Sequence, residues 1–270
     1  GKSTTIRMLL TLITPTHGSI ELFGMPLRTH RIEILKQVGA VIEKPDVYKY
    51  LSGYGNLKLF AKLSGAHVSE KQLWQQLEMV GLSERANDKV KTYSQGMKQR
   101  LGIAIALIHD PKLIILDEPT NGLDPQGIAD IRNLILHLSR EMNKTIFVSS
   151  HLLTEIEQIA TRVLIIDNGK KITEGSASEL FDPAQTIVEL DTANNEAALI
   201  LLQQCQWQQC LQPRRSNTLL LKMHSNTIPE LNKWLVQQNI NVHSRQPRNS
   251  LEDFFLQATS GKQHVETFSN

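Results

Sequence analysis

Cysteine is scarce in this 270-residue chain, which contains only Cys205 and Cys210. Their C-x4-C spacing lacks the second pair, or the histidines, that a structural zinc site needs. We therefore predict ordinary reduced thiols in an intracellular protein. Long apolar runs are missing too, since none approaches the roughly 18 residues of a membrane span. The opening residues also lack the pattern of a charged-then-apolar secretory leader.

A strong charge of either sign is absent as well. The formal net charge is +2, and the lysines and arginines are spread along the chain, so we expect no nucleic-acid partner. Apolar residues make up 40% and charged residues 21% of the chain, which is ordinary for a folded globular protein. The length allows one large domain, or one domain with a small appendage.

Apolar runs separated by helical patterns are the main signal in the first two thirds of the chain. VGAVIE (38–43), LIILD (113–117) and TIFVSSH (145–151) each read as a buried strand. SIELFG (19–24) reads as a strand, and 55–80 as a helical region. Buried strands that alternate with helices predict an α/β fold with a parallel sheet covered on both faces.

The pattern changes past about residue 181. Strand-like segments near 186–190, 218–223 and 241–245 alternate with helical segments near 193–204 and 228–238. They are shorter and less apolar, which predicts a small α+β appendage after a hairpin that turns at Asn168–Gly169. We place the domains at 1–180 and 181–260, with a tail at 261–270.

An acidic pair stands at the end of one predicted strand. In LIILDEP, Asp117 and Glu118 fall where the strands of a parallel sheet meet their ligand crevice. An Asp there can hold Mg²⁺, and the adjacent Glu can deprotonate a water molecule. Taken alone, the pair is equally compatible with an acidic strand terminus exposed to solvent.

The first four residues, Gly1, Lys2, Ser3 and Thr4, match the end of the phosphate-binding pattern G-x-x-x-x-G-K-[ST] and precede a predicted helix. In such a loop the lysine supplies charge to the phosphates, and the hydroxyl of Ser3 supplies a Mg²⁺ ligand. A four-residue match by chance is common, but a chance match together with the acidic pair of the same α/β pattern is much rarer.

Two further features fit the same chemistry. Ser94, Gln95 and Gly96 open the predicted helix 97–108, where free backbone N–H groups make an anion site. The alternative is a simple N-cap serine without a ligand. His151 ends the strand TIFVSSH at the same sheet edge as Glu118, where it could contact a phosphate. A lone histidine at a strand end is more often structural.

With these motifs in order, residues 1–180 resemble the nucleotide-binding subunit of an ABC transporter. YSQGM stands at the LSGGQ-type signature, LIILDEP at the Walker B segment, NGLDP at the D-loop and SSHLLTEIE at the H-loop. The resemblance implies a P-loop NTPase (ABC ATPase) fold with a helical signature subdomain. It also implies ATP and Mg²⁺ as cofactors.

The resemblance assigns roles to the matching positions. It implies that Glu118 is the general base and that His151 contacts the γ-phosphate. The phosphates and the metal would be bound by residues of the two Walker motifs: Gly1, Lys2, Ser3 and Thr4 for the phosphates, and Ser3 and, through water, Asp117 for Mg²⁺.

Two partners are implied as well. ABC subunits form head-to-tail dimers with two ATP molecules between them, so Ser94, Gln95 and Gly96 would cover the ATP of a second copy, with Asp124 at that interface. A separate multi-span permease would hold the chain at the inner face of the cell membrane. The expected location is therefore cytoplasmic and peripheral.

The chain departs from the family pattern at three places. It starts within the Walker A loop, so we expect this exact chain to bind ATP poorly. The signature reads YSQGM, with Gln95 and Met97 at positions where glycine and glutamine are usual. Glu43 stands at the Q-loop glutamine position, where a carboxylate could ligate Mg²⁺ or repel phosphate. The resemblance also implies that the segment 44–60 couples to the permease.

The C-terminal segments IPELNKWLVQQNINV and SLEDFFLQAT are similar to those of bacterial exporters that give antibiotic resistance. The typical cargo of that group is a peptide antibiotic such as bacitracin or a lantibiotic. The competing class is an ABC ATPase that acts on ribosomes or DNA. Its ribosomal members carry two cassettes in one chain and its DNA-repair members a long coiled coil, and neither feature is visible in this sequence.

Overall fold

The computed structural model describes residues 1–177, 186–213 and 218–248. The chain divides into two compact units, Gly1–Glu155 and the part that begins at Ile156. The predicted boundary near residue 181, the segment SLEDFFLQAT and the predicted tail at 261–270 lie outside the described residues. The predicted domain limits therefore stay predictions.

The first unit alternates helices and strands along the chain. In order, they are α1 (Lys2–Leu9), β1 (Glu21–Leu22), β2 (Met25–Pro26), α2 (Arg31–Leu35), β3 (Val38–Ile42), α3 (Gly53–Ser64), α4 (Glu70–Met79), α5 (Gln95–Ala106), β4 (Leu113–Asp117), α6 (Pro125–Arg140) and β5 (Thr145–Ser149). Helix α7 (Leu153–Ile159) crosses the limit between the two units.

A three-stranded parallel sheet in the order β3-β4-β5 lies at the centre of this unit. All five residues of β4 are buried, as expected for a strand that has neighbours on both sides and is covered on both faces. The predicted parallel α/β architecture is confirmed. The strands end in register, because Ile42 pairs with Asp117 and Asp117 pairs with Ser149.

Two of the predicted strands differ from expectation. TIFVSSH is not a buried strand, since β5 is an edge strand of this sheet and Phe147 is 36% exposed. SIELFG is not one strand either. Its chain reverses at Phe23 and Gly24, which both have positive φ, so β1 pairs with β2 in a short antiparallel hairpin. The alternation of apolar residues did not reveal this turn, because only its glycine is a strong turn former.

Helices α3, α4 and α5 form the helical part of the unit. The predicted helical region 55–80 is two helices, because Gly65 ends α3 in the left-handed conformation that glycine adopts without strain. Side chains satisfy the first backbone N–H groups of these helices. Ser52 caps α3, Ser69 forms a capping box with Gln72 on α4, and Ser94 caps α5.

Helix α5 lies unusually close to β3 and to the segment after it. A Cβ atom at Gly39 would overlap the carbonyl oxygen of Ala106, and one at Gly102 would come within 2.6 Å of Pro45. The two glycines therefore allow a close approach that no other residue permits. This packing determines where the N-terminus of α5 lies relative to the sheet.

The loop before α5 is held by Tyr93, whose buried hydroxyl donates to the carbonyl oxygen of Arg85 at 2.6 Å. Burial raises the pKa of Tyr93, and the charge of Asp88 adds to this effect. The phenol therefore stays protonated and keeps its role as a donor. This bond anchors the chain immediately before Ser94.

The second unit has its own hydrophobic core. Strands β6 (Arg162–Asp167) and β7 (Lys170–Ser176) form the predicted hairpin about Asn168 and Gly169. An antiparallel sheet in the order β11-β8-β10-β9 follows, built from β8 (Thr186–Thr192), β9 (Leu211–Gln212), β10 (Leu219–Met223) and β11 (Val242–Arg248). Helices Asn195–Gln203 and Ile228–Gln237 pack into the same core, so the α+β prediction is confirmed.

A buried asparagine holds the loop that follows β3. Asn56, on α3, is fully buried, and its Oδ1 accepts a hydrogen bond from the Tyr48 N–H at 2.8 Å. Its Nδ2 donates to the carbonyl oxygens of Tyr48 at 3.0 Å and Ser52 at 2.9 Å. One side chain thus satisfies three backbone groups of the loop.

We predict that Asn56→Leu, which keeps the branching of the side chain and removes these bonds, lowers the free energy of unfolding by about 2–4 kcal/mol. Chemical denaturation, followed on the transition of the first unit, measures the change. Asn133→Leu, at an exposed position of α6, is the control and should change stability by no more than about 0.5 kcal/mol. Equal stabilities of the two variants would contradict the role of Asn56.

Candidate active site

The carboxyl ends of the three parallel strands bring the candidate residues together. Asp117 ends β4 beside Ser149, which ends β5, and both residues are buried. Glu118 and His151 follow these strands, and α1 lies across the same edge. This edge is where ligands bind in open α/β sheets.

Asp117 is fully buried, and only one of its two carboxylate oxygens accepts hydrogen bonds from described residues. Its Oδ1 accepts hydrogen bonds from the hydroxyls of Ser149 and, at 3.4 Å, Ser3. Its Oδ2 is also buried, and no described residue donates to it. A free carboxylate oxygen next to a serine hydroxyl is a donor set that suits Mg²⁺, which prefers one or two protein oxygens together with substrate phosphates.

Glu118 adopts a left-handed backbone conformation with φ of 50°. Its N–H donates to both the carbonyl oxygen and the hydroxyl of Ser149, each at 3.1 Å. The side chain then lies between two cationic or potentially cationic groups: Lys2 Nζ is 3.4 Å from Oε1, and His151 Nδ1 is 2.6 Å from Oε2. The backbone N–H of His151 also donates to Glu118 Oε2, at 3.3 Å. Such a carboxylate is oriented and only partly exposed, as a general base requires.

The N-terminus of α1 faces this cluster. Lys2 Nζ donates to the carbonyl oxygen of Ser150 at 2.9 Å, in addition to its ion pair with Glu118. Gly1 is the N-cap, and its carbonyl oxygen accepts from Thr5. Thr4 is exposed on the first turn. The free N–H groups and positive dipole of this helix end favour an anion.

Glu43 forms an ion pair outside the cluster of Asp117, Glu118 and Lys2. It follows β3 with a positive φ of 55°, and its Oε1 accepts from Arg7 Nη2 at 2.7 Å. Arg7 lies one helical turn after Ser3 on α1, so both residues face the ends of the strands. The carboxylate of Glu43 is thus engaged by Arg7. Its assignment as a metal ligand stays a prediction.

The signature residues form a second group, on a different part of the same unit. Ser94 Oγ accepts from the Met97 N–H at 3.2 Å, and Gln95 and Gly96 form the first turn of α5. Gly96 lies beside Leu123 and Gly127, at the start of α6. Asp124 caps α6 through the Gly127 N–H at 3.1 Å. In the described residues, no hydrogen bond or ion pair links this group to Glu118 or Lys2.

Sequence reasoning missed three residues of the site: Arg7, Ser149 and Ser150. Ser149 is 32 positions from Asp117 in sequence, and the Ser150 carbonyl oxygen is 148 positions from Lys2. A register for β4 and β5 would have placed Ser149 opposite Asp117, but apolar periodicity alone does not determine register. Nothing in the sequence indicated that Arg7 would pair with Glu43.

These features define a class of protein. A parallel sheet, a lysine and a serine at a helix N-terminus, and an Asp–Glu pair at the end of a buried strand are the parts of a P-loop ATPase.

The family described as ABC transporter matches residues 1–121. The bacitracin transport ATP-binding protein BcrA of Bacillus licheniformis is 41% identical over 97% of this chain and 85% of its own length. The lantibiotic transport ATP-binding protein SrtF of Streptococcus pyogenes is 44% identical over 70% of this chain and 79% of its own. The chain belongs to the ABC transporter family and is an ATP-binding subunit with ATPase activity.

Solved structures agree with this assignment. A dimeric, post-hydrolysis structure of the ATP-binding cassette MJ0796 with bound ADP and Pi superimposes with a TM-score of 0.58. The two sequences are 26% identical, and the superposition covers 66% of this chain and 81% of the MJ0796 chain. The relatives above carry the name of transport proteins, which favours transport over the alternative of an ATPase that acts on ribosomes or DNA.

Within the part of the chain that the structure describes, every helix is too short or too polar to cross a bilayer.

We predict that Asp117→Asn raises the Mg²⁺ concentration needed for half-maximal ATPase activity by about tenfold or more, because an amide is a weaker metal ligand than a carboxylate. Nucleotide binding without metal should change little, and binding of a fluorescent ATP analogue in EDTA measures it. Asp130→Asn on α6, where the carboxylate accepts from Gln126, is the matched control. An unchanged Mg²⁺ requirement in Asp117→Asn would remove this residue from the metal site.

Proposed function

We propose that this chain hydrolyses ATP to drive a bacterial exporter whose membrane-crossing part is a separate subunit. The observation that carries the proposal is the placement of Glu118 between Lys2 and His151, with the free oxygen of Asp117 nearby. Each group has one task in the hydrolysis of a phosphate anhydride: holding the phosphates, holding a cation, or accepting a proton.

Glu118 is the proposed general base, which takes a proton from the attacking water at a carboxylate oxygen. Lys2 is the cation nearest to Glu118 and belongs to the phosphate-binding motif. Binding of the phosphates would draw Lys2 away from the carboxylate and leave Glu118 free to accept the proton. His151, hydrogen-bonded to the same carboxylate, would orient it and contact the terminal phosphate.

Ser3 and Asp117 are the proposed metal-binding residues, and their oxygens fit a hard cation. When bound there, Mg²⁺ would neutralise negative charge on the phosphate oxygens. The N–H groups of the first turn of α1, which include those of Lys2, Ser3 and Thr4, would hold the phosphates together with Gly1. Glu43 stays a candidate ligand, on condition that it leaves Arg7.

A second copy of the chain is the proposed partner at the ATP site. Ser94, Gln95 and Gly96 present free helix N–H groups that are not bonded to the Lys2–Glu118 cluster of the same chain. An anion site of this kind would serve the ATP of another copy, with Asp124 next to it. The dimeric state of MJ0796 supports this arrangement.

The cargo is inferred from the relatives. BcrA is named for bacitracin transport and SrtF for lantibiotic transport, and both substrates are peptide antibiotics. We propose a cargo of the same chemical class, carried through a permease, with this chain peripheral on the cytoplasmic face of the membrane. Residues 178–185, 214–217 and 249–270 lie outside the structural description and play no part in this proposal.

The resemblance assigns coupling to the segment 44–60, and that assignment stays a prediction. A groove of about 1030 Å³ in the first unit, lined by none of those residues, is a further proposed docking surface for the permease. Its lining combines apolar side chains, most of them buried or half-buried, with the cations of Arg31 and Lys36 and the imidazoles of His67 and His109. Ile32, on α2, is 73% exposed. The one acidic residue of the lining, Asp110, is paired with Lys144 at 2.6 Å. A short amphipathic helix with acidic side chains, from the cytoplasmic side of the permease, complements this surface.

We predict that Glu118→Gln lowers the rate of ATP hydrolysis by about 100-fold or more, because the amide cannot accept the proton. In the intact protein, ATP binding should be retained, and the ATP-bound dimer should accumulate. Turnover assays and size-exclusion chromatography with ATP measure these changes. Glu141→Gln, at the exposed end of α6, is the control. Turnover equal to that of wild type would exclude Glu118 as the base.

We predict that the double variant Lys36→Glu and His67→Glu recovers about tenfold less permease from detergent-solubilised membranes, because it places like charges at the interface. ATP hydrolysis by the isolated subunit should not change. Lys62→Glu, on α3 outside the groove, is the control. Full recovery of the permease with the double variant would contradict docking in the groove. Recovery of the wild-type chain with ribosomes or DNA would contradict transport.

A further inference from the structure

Ser149 is a buried polar residue to which the proposed mechanism gives no task. It is the last residue of β5, lies directly beside Asp117 in the parallel pairing, and is only 5% exposed. The other positions of β5 are exposed or half-buried, so the most buried side chain of this strand is a hydroxyl. A buried hydroxyl needs hydrogen-bond partners, and those of Ser149 are both acidic residues of the site.

The two hydrogen bonds of this hydroxyl have opposite directions. Ser149 Oγ donates its single proton to Asp117 Oδ1 and accepts the N–H of Glu118 at 3.1 Å. A serine hydroxyl has one proton and two lone pairs, so this pattern uses it as a donor and as an acceptor at once. The donated bond engages one oxygen of the Asp117 carboxylate with a protein donor, and the accepted bond connects the same hydroxyl to the backbone of Glu118.

For Asp117, the bond determines which carboxylate oxygen stays available. Ser149 and Ser3 both bond to Oδ1, and Oδ2 has no donor among the residues described. Rotation of the carboxylate would break the bond to Ser149 inside a buried site, which is costly. Ser149 therefore keeps Oδ2 directed away from the protein donors and free for another ligand.

For Glu118, the hydroxyl helps to hold an unfavourable backbone. A glutamate with φ of 50° is strained, and such a conformation persists only where its surroundings stabilise it. The Glu118 N–H is shared between Ser149 O and Ser149 Oγ, so this serine holds the turn from both its main chain and its side chain. The same turn directs the carboxylate of Glu118 to Lys2 and His151.

We propose that Ser149 is a positioning residue that orients the metal-binding oxygen of Asp117 and the carboxylate of Glu118 together. The proposal rests on the roles given to these two residues under the proposed function. It adds that one hydroxyl couples them, so that loss of this hydroxyl alters the metal requirement and the rate at the same time. A residue that only contributed to packing would alter stability without altering the metal requirement.

The test compares Ser149→Ala with Ser149→Thr in the intact protein. Removal of a group that orients a metal ligand costs about 10–100-fold in metal affinity or activity. In Ser149→Ala, we expect kcat to fall and the half-maximal Mg²⁺ concentration to rise within that range. The KM for ATP should stay within about threefold, since the phosphate-binding residues are unchanged. Ser149→Thr keeps the hydroxyl and should recover both values.

The control is Thr145→Ala, at an exposed position of the same strand, which should leave all three parameters unchanged. Thermal melting shows whether each variant folds. If Ser149→Ala does not fold, Ser149→Cys replaces it, because a thiol has nearly the same size and is a weak donor. A folded Ser149→Ala or Ser149→Cys with wild-type kcat and Mg²⁺ requirement would overturn the proposal. A folded Ser149→Thr as impaired as Ser149→Ala would overturn it as well.

Failure of the proposed function gives a different result. If Glu118→Gln retains full turnover, the general-base assignment is wrong whatever Ser149 does. The Mg²⁺ requirement of Ser149→Ala then still reports on the orientation of Asp117 alone. A raised Mg²⁺ requirement with an unchanged kcat at saturating Mg²⁺ would contradict the coupling of the two residues.

Discussion

The hydrogen bonds that join the ends of β4 and β5 are the constraint on which the active site depends. They connect Asp117 and Glu118 to Ser149, and the register of the two parallel strands places these residues side by side. A shift of one residue would turn Asp117 to the other face of the sheet and separate it from Ser3. The chemistry of the site is therefore a consequence of strand pairing, and it requires a sheet core without polar defects. The four buried apolar residues of β4, Leu113 to Leu116, supply this core up to the strand end, where Asp117 begins the site.

The helices depend on the sheet in turn. Helix α1 positions Lys2 and Ser3 because its buried residue, Ile6, packs in the core cluster that includes Val38 and Ile115. Helix α5 approaches β3 closely through Gly39 and Gly102. These contacts determine the positions of two helix N-termini, one at the Asp117 cluster and one beside the start of α6. Two helix N-termini on separate parts of one unit suit the proposed ATP site shared between two copies, because each can bind an anion.

A P-loop ATPase was predictable from the sequence, because the signals involved are local. Short apolar runs, of five residues in β3 and four in β4, identified these strands. Lys2 and Ser3 stand in one short motif, and Asp117 and Glu118 in another at the end of β4. The errors occurred where a local signal is ambiguous. The edge strand β5 has the composition of a buried strand, and the turn at Phe23 does not have the composition of a turn. The roles assigned to the site residues stay predictions, although five of these residues lie together at one sheet edge.

The sequence by itself determined the family, the order of the elements and the kinds of residue available for phosphate and metal binding. Burial periodicity and short motifs are properties of residues that are close in sequence, so they can be recognised without knowledge of the fold. Only the tertiary structure decided that Ser149 bonds to both acidic residues and that Glu43 pairs with Arg7, 36 positions away. These contacts depend on strand register and on the packing of α1 against the sheet, and both are set by the whole core.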